Sequence, residues 1–228
     1  MNCDTKPALA ILGGTGDLGT GLALRWMEAG YEVIIGSRTL EKAQSAVKDL
    51  VSVMNSRGVH KCQIRAMDNF EAAKMGDIVV LTVPFAHHGA TLESVKSALS
   101  EKILVDVTVP LVPPKVARVQ LPEGGSAGEI AQAILGEEVF VVSAFQNVAA
   151  HHLQEGLGIQ CDVLVSGNSK VARDKVIELV EAAGMKGYHA GLISNSVAAE
   201  ALTSVLINLN RQFKGHAGIK ITGTGNDE

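Results

Sequence analysis

Glycine spacing is the first feature of this sequence that could do chemistry. Gly14-Thr15-Gly16-Asp17-Leu18-Gly19 follows the apolar run Ala8-Leu9-Ala10-Ile11-Leu12 and precedes a segment, Thr20 to Met27, that reads as a helix ending near Gly30. Strand, glycine loop and helix in that order are the context in which G-x-G-x-x-G signals dinucleotide binding. Gly14 would permit the tight turn, Gly16 would let the backbone approach a pyrophosphate, and Gly19 would let the helix pack close to the strand. The unpaired N–H groups around Thr15, Asp17 and Leu18 would then face the phosphates. One βα unit later the run Tyr31-Glu32-Val33-Ile34-Ile35-Gly36 ends in Ser37-Arg38-Thr39, with Lys42 a turn into the next helix. A chain that selects NAD usually places Asp or Glu there, against the ribose 2′-hydroxyl. This one offers a planar guanidinium, an ammonium and hydroxyls, which suit a 2′-phosphate. Cations at a helix N-terminus oppose its dipole, so they imply a binding purpose. NADP is therefore expected over NAD.

In an open α/β sheet, ligands bind beyond the carboxyl ends of the strands. That rule gathers residues 13–18, 37–39, 82–88, 108–111 and 145–151. They are short of an acid or base. His87-His88 and His151-His152 are adjacent pairs whose members point different ways, with no accompanying cluster of carboxylates or cysteines, so no metal is expected. No serine sits in a nucleophile elbow. Hydride transfer between two redox cofactors needs two rings stacked in a dry pocket and little proton transfer by the protein. Val83, Pro84, Val107, Val109, Val148, Ala149 and Ala150 are apolar or small enough for that role. The amides of Gln146 and Asn147 could bond a carboxamide or ring edge, or simply cap their loop.

The elements that must position these residues alternate. Strands are expected at 8–12, 31–36, 63–67, 78–84, 102–108 and 139–144, and helices at 39–55, 69–74, 93–100 and 126–135. The rhythm specifies an α/β fold, a doubly wound Rossmann-type sheet, mainly parallel. Residues 110–128 hold four prolines and a Gly-Gly pair and read as an irregular, functional loop. Beyond it a strand at 162–166, a helix at 170–183, a short strand at 186–190 and a helix at 196–213 suggest a small C-terminal appendage. The expected division is an NADP-binding domain over 1–150 and an α/β extension over 151–228, whose terminal helix would contribute to a second-cofactor site and to a dimer.

Composition limits the alternatives. The chain has 228 residues, enough to bury a sizeable core, and a net charge of −4 without a basic block, which gives no electrostatic case for nucleic acid. No apolar run is long enough to span a bilayer. The first seven residues lack the pattern of a signal peptide, and Cys3, Cys62 and Cys161 are scattered, as in a cytoplasmic protein with reduced thiols.

Taken together, Leu12-Gly13-Gly14-Thr15-Gly16-Asp17-Leu18-Gly19, Gly36-Ser37-Arg38, Leu81-Thr82-Val83-Pro84 and Val142-Ser143-Ala144-Phe145-Gln146-Asn147 resemble the NADPH-dependent coenzyme F420 reductases. The stretch Leu206-Ile207-Asn208-Leu209-Asn210-Arg211, with Gly218-Ile219-Lys220, resembles that family's C-terminus. The resemblance implies a cytoplasmic enzyme, usually a homodimer, that moves a hydride between a reduced 5-deazaflavin and NADP. It also implies places for the site residues. Thr15 to Leu18 would hold the pyrophosphate, Ser37, Arg38 and Lys42 the 2′-phosphate, and Thr82, Pro84 and His87 would lie along the cofactor. Ala150 would sit near the nicotinamide amide, and the deazaflavin would stack against 107–110, with Val109, and the tail near Gly218-Ile219. Archaeal members carry a His-Thr pair where this chain has Gln146-Asn147, and related bacterial members resemble this chain there.

Weaker resemblances run to the NADPH-binding domains of metalloreductases, which require membrane helices, and to pyrroline-carboxylate and imine reductases, which require a long helical dimerisation domain. A flavin in place of F420, or a non-catalytic NADP-binding regulator, are the other functional readings. The apolar floor and the 110–128 loop favour an enzyme, since a sensor needs no room for a second ring system.

Overall fold

The computed structural model describes residues 6–60, 62–155 and 158–224; Cys3 and the rest of residues 1–5, part of the segment read above for targeting, lie outside them. The apolar runs become the strands β1 (Leu9–Leu12), β2 (Val33–Ser37), β3 (Ile64–Asp68), β4 (Ile78–Leu81), β5 (Ile103–Asp106), β6 (Phe140–Ser143), β7 (Asp162–Gly167) and β8 (Lys186–Gly191). They lie side by side in one sheet in the order β3-β2-β1-β4-β5-β6-β7-β8. All neighbours are parallel except β6 and β7, where Ser143 opposes Ser166. Chain order reverses between β1 and β4, and a crevice for a ligand opens there.

The helices are α1 (Asp17–Glu28), α2 (Leu40–Ser56), α3 (Asn69–Met75), α4 (Phe85–Val95), α5 (Ala127–Leu135), α6 (Ala150–Gln154), α7 (Lys170–Ala182) and α8 (Ser196–Phe213). Alternation along β1 divides the core. Leu9 and Ile11 face one side with Leu22, Trp26, Leu50, Met54 and Leu179. Ala10 and Leu12 face the other with Ala72, Leu92, Val95 and Ala131. Both faces are covered, so every residue of β1 and β4 is buried and the strands read as unbroken apolar runs. Trp26 locks α1 to α7: its indole N–H donates to the Leu179 carbonyl at 2.9 Å and its ring meets Phe145 edge-on.

Two local expectations change. The helix expected at 93–100 begins eight residues earlier, at Phe85, with Pro84 as its N-cap. Its buried stripe is His88, Leu92 and Val95, spaced i, i+4, i+7, and it starts on a histidine that a hydropathy pattern counts as polar. The short helix α6 has no periodic signal because its order comes from elsewhere. Arg25, itself buried, donates to the carbonyls of His152 (2.7 Å) and Leu153 (2.9 Å), and Arg57 donates to that of Gln154.

The C-terminal third continues the same sheet rather than packing apart from it. β7 and β8 extend the edge, and the tail returns along β7, where Asp162 N donates to the Ile219 carbonyl and Ile221 N donates to Asp162 Oδ2. Residues 107–126 carry no helix or strand, as their prolines imply. Among the described residues no helix is long and apolar enough to cross a membrane.

A buried carboxylate docks α8. Glu200 accepts from the N–H groups of Ala127 (2.7 Å) and Gly128 (3.1 Å), the first turn of α5. Close approach is possible because Gly128 has no side chain; a Cβ there would stand 2.9 Å from Ser196 Oγ. Burial pushes the Glu200 carboxyl up to about 6, against the two N–H groups that hold it down and with Asp106 adding to the rise. A raised carboxyl favours folding in acid. Its contribution is complete below the ordinary value near 4.5 and is lost as pH rises through about 6. Urea unfolding of wild type and Glu200→Gln should therefore show the stability difference moving against wild type by about 2 kcal/mol between pH 4 and pH 7.5. A pH-independent difference would show that Glu200 does not titrate in this range.

Candidate functional site

The glycine loop sits at the end of β1, where the sheet order reverses. Its left-handed residue is Gly13 (φ +68°), one place before the glycine to which the turn was assigned. A Cβ on Gly13 would lie 2.6 Å from Val83 Cγ1. Gly14 is needed for closeness instead: its Cβ would be 2.7 Å from the Ile11 carbonyl, and its N–H donates to Gly36 O at the end of β2. Gly19 allows helix and strand to touch, since a Cβ there would meet Gly14 Cα at 2.8 Å and Thr82 Oγ1 at 2.9 Å. Gly16 is different. Nothing but Gly13 O, 3.9 Å away, approaches its Cβ position, so that side of the loop is open. The N–H groups of Thr15, Asp17 and Leu18 donate to no acceptor among the described residues. Free donors at the start of a 12-residue helix, beside an open glycine, fit a pyrophosphate.

Ser37 closes β2 and is buried, whereas Arg38 and Lys42 are exposed and form no ion pair among the described residues. Two cations without carboxylate partners at the N-terminus of α2 leave their charge available to a phosphate. Asn69, missed in the sequence, supports this end of the site. Its side-chain oxygen accepts from Gly13 N at 3.3 Å and lies 3.0 Å from where a Gly36 Cβ would be. The only sequence signal for it is its place at the start of the helix after β3.

Along the next strand end, Thr82 donates from Oγ1 to the Leu12 carbonyl at 2.9 Å, Val83 packs on Gly13, and Pro84 and His87 are exposed at the start of α4. His88 turns inward, with Nε2 2.6 Å from Asp106 Oδ2. Val107 is buried after β5 and Val109 half-buried. The two amides at 146–147 face the protein. Gln146 Nε2 donates to Asp106 O and Ser143 Oγ, both at 2.8 Å, and Asn147 Nδ2 donates to Ala199 O at 2.8 Å on α8. Their nitrogens brace the loop, so neither is free to donate to a ligand.

Val148 is buried, and Ala149 and Ala150 are half-buried at the start of α6. Ala149 also borders a pocket of about 320 Å³ with His152, Ile159, Cys161, His216 and Gly218. Ala149 and Gly218 of the tail therefore line one pocket, whereas Ala150, Ile219 and residues 107–110, expected around the second cofactor, are not among its lining. Gly218 lies on the thiol: its Cβ would be 2.8 Å from Cys161 Sγ. Burial raises that thiol's pKa, which suits a packed sulfur and not a nucleophile. His151, His152 and His216 cluster, their rings tilted or edge-on with centroids 4.7 to 6.1 Å apart, and Glu155 pairs with the first two. Among the described residues no group of three His, Cys, Asp or Glu side chains is arranged to hold a metal ion.

A dinucleotide loop, an unpaired cationic strand end and a pocket of mixed polar and apolar lining under a returning tail are thus present together. Comparison with known proteins gives the arrangement its family. Residues 8–110 match the model of coenzyme F420-dependent NADP oxidoreductases. An F420-dependent NADP reductase of Methanocaldococcus jannaschii is 41% identical over 94% of this chain and 97% of its own length. The chain belongs to the F420-dependent NADP reductase family. A second member, from Methanothermobacter marburgensis, is 38% identical over the same shares of both chains. The crystal structure of a putative member from Arthrobacter sp. FB24 superposes with a TM-score of 0.78 at 26% identity, covering 96% of this chain and all of the other.

Arg38, exposed after β2, is the residue expected from the sequence to read the 2′-phosphate. Removing one charge-assisted phosphate contact costs roughly 1.5–3 kcal/mol, or about one to two decades of affinity. Arg38→Ala should weaken NADP binding by that factor and leave NAD binding nearly unchanged, as measured by equilibrium titration. Equal losses for both would show that Arg38 does not read the 2′-phosphate.

Proposed function

We infer that this chain transfers a hydride between NADP(H) and coenzyme F420. The observation that carries the reading is identity of 41%, over 94% of this chain, with a reductase named for those two cofactors. The cofactors supply the redox chemistry: the reduced partner gives up a hydride, the oxidised partner accepts it, and one proton is exchanged with solvent to balance charge. The protein's part is to bind, to orient and to exclude water.

In this reading the free N–H groups of Thr15, Asp17 and Leu18 hold the pyrophosphate over Gly14, Gly16 and Gly19. Ser37, Arg38 and Lys42 hold the 2′-phosphate. Thr82, Val83, Pro84 and His87 lie along the nicotinamide half, and Val148, Ala149 and Ala150 form the platform for its ring. The pocket that Ala149 and Gly218 line takes the deazaflavin, and Ile219 and Val109, outside that lining, are proposed to reach it from the tail and from the segment after β5. Gln146 and Asn147 serve the site by bracing the loop, since their amide nitrogens are already bonded. In this reading the enzyme is cytoplasmic. Adding NADP⁺ and the protein to reduced F420 should restore the visible absorbance of the oxidised deazaflavin at a rate proportional to protein. Failure with F420 but turnover with a reduced flavin would reassign the second cofactor.

The same reading includes a homodimer. On α8, Val205 is 44% and Phe213 71% exposed. Ser204 Oγ donates to the Arg118 carbonyl, which holds the loop bearing Val119 and Leu121 (44% and 61% exposed) beside that face. A second copy would cover this apolar surface. Sedimentation should give twice the monomer mass at micromolar concentration, and Val205→Asp should shift the mass towards monomer. A wild-type monomer throughout would rule the dimer out.

A further inference from the structure

Behind the strand ends lies a buried ionisable pair that none of the roles above uses. His88 and Asp106 are each 1% exposed, with Nε2 and Oδ2 2.6 Å apart. Such a pair is costly to desolvate and is weak grounds for stability by itself, so its position is informative. Asp106 is the last residue of β5, and it is fully engaged. Its second carboxylate oxygen accepts from Thr108 N at 2.9 Å, and its carbonyl accepts from Gln146 Nε2 at 2.8 Å and from Ala144 N at 3.2 Å. His88 is one turn past Pro84, where α4 begins, and the Phe85 ring stacks on it at 5.9 Å. One contact thus joins the segment that follows β4, at 82–87, to the segment that follows β5, at 107–109. In the proposed site the first segment carries the nicotinamide and the second borders the deazaflavin. His88 Nδ1, Thr108 Oγ1 and Gln146 Oε1 are buried without a partner among the described residues.

We propose that His88 and Asp106 are a positioning pair that sets the separation of the two cofactor-bearing segments, and so governs hydride transfer without governing NADP affinity. The proposal rests on the F420 reductase reading. Neither residue is assigned contact with the reacting atoms; they act through Thr108 and the first turn of α4. Displacing reactants by about 1 Å can cost on the order of a hundredfold in rate.

Three variants test it in the full chain: His88→Phe keeps a ring but no donor, His88→Gln keeps an amide donor near the Nε2 position, and Asp106→Asn keeps an acceptor for Thr108 N. NADP dissociation constants should stay within about threefold of wild type, while single-turnover transfer at saturating cofactors falls roughly thirtyfold or more in His88→Phe. His88→Gln should recover most of that loss, and the primary deuterium isotope effect from NADPH labelled on the transferred hydrogen should rise in the slow variants. Wild-type transfer in His88→Phe overturns the proposal, as does a loss of NADP affinity that matches the loss of rate. Should the Phe variant not fold, Asp106→Asn decides: unchanged transfer there overturns it equally. The wild type separates the two readings, because absence of any transfer in it sinks the functional assignment and this one with it, whereas transfer that all variants retain sinks only the positioning pair.

Discussion

The site depends on how closely α1 can approach β1 and β4. At Gly19 the helix backbone stands where any side chain would collide with Gly14 Cα and Thr82 Oγ1. That approach aims the first N–H groups of α1 past the strand ends, towards Gly16 and the open side of the loop. Widening the gap by one methyl group would move the helix dipole and its free donors together, because a packed interior shifts as a body. Thr82 and Asn69 hold the neighbouring backbone by hydrogen bonds to Leu12 and Gly13, so the loop is braced from both sides.

The other half of the site is held by polar ties. Asn147 and Thr203 join the loop after β6 to α8, Glu200 joins α8 to α5, and Asp106 joins the ends of β5 and β6 to α4. Buried hydrogen bonds have narrow geometry, so these contacts specify orientation more sharply than apolar packing of the same area. The tail joins the arrangement through Asp162, which holds both Ile219 and Ile221, and this places Gly218 over the Cys161 thiol. One pocket is therefore assembled from residues far apart in the chain, at 149, 161 and 218.

The legible parts of the fold are those set by local periodicity. The helices differ in how far they need long-range information: α8, with its apolar residues in register over 18 residues, is readable to its ends, whereas α4 is misplaced because His88 opens its buried stripe. The short helix α6 left no trace, since its carbonyls are satisfied by Arg25 and Arg57 from another part of the chain. The glycine loop was readable as a phosphate site, but the residue with positive φ was displaced by one, a distinction that depends on the approach of Val83.

By itself the sequence determined the alternation of strands and helices, the glycine loop after the first strand, and the Ser37-Arg38-Lys42 set in place of an acidic residue. Each is local: a periodicity, a turn or a strand end carries its own physical signature. Only the tertiary structure decided that Gln146 and Asn147 face inward, that His88 finds Asp106, and that Glu200 caps α5 from α8. A polar side chain has no periodicity to betray its partner. Whether it binds a ligand or braces the fold depends on which donor or acceptor, tens of residues away, the folded chain brings within 3 Å.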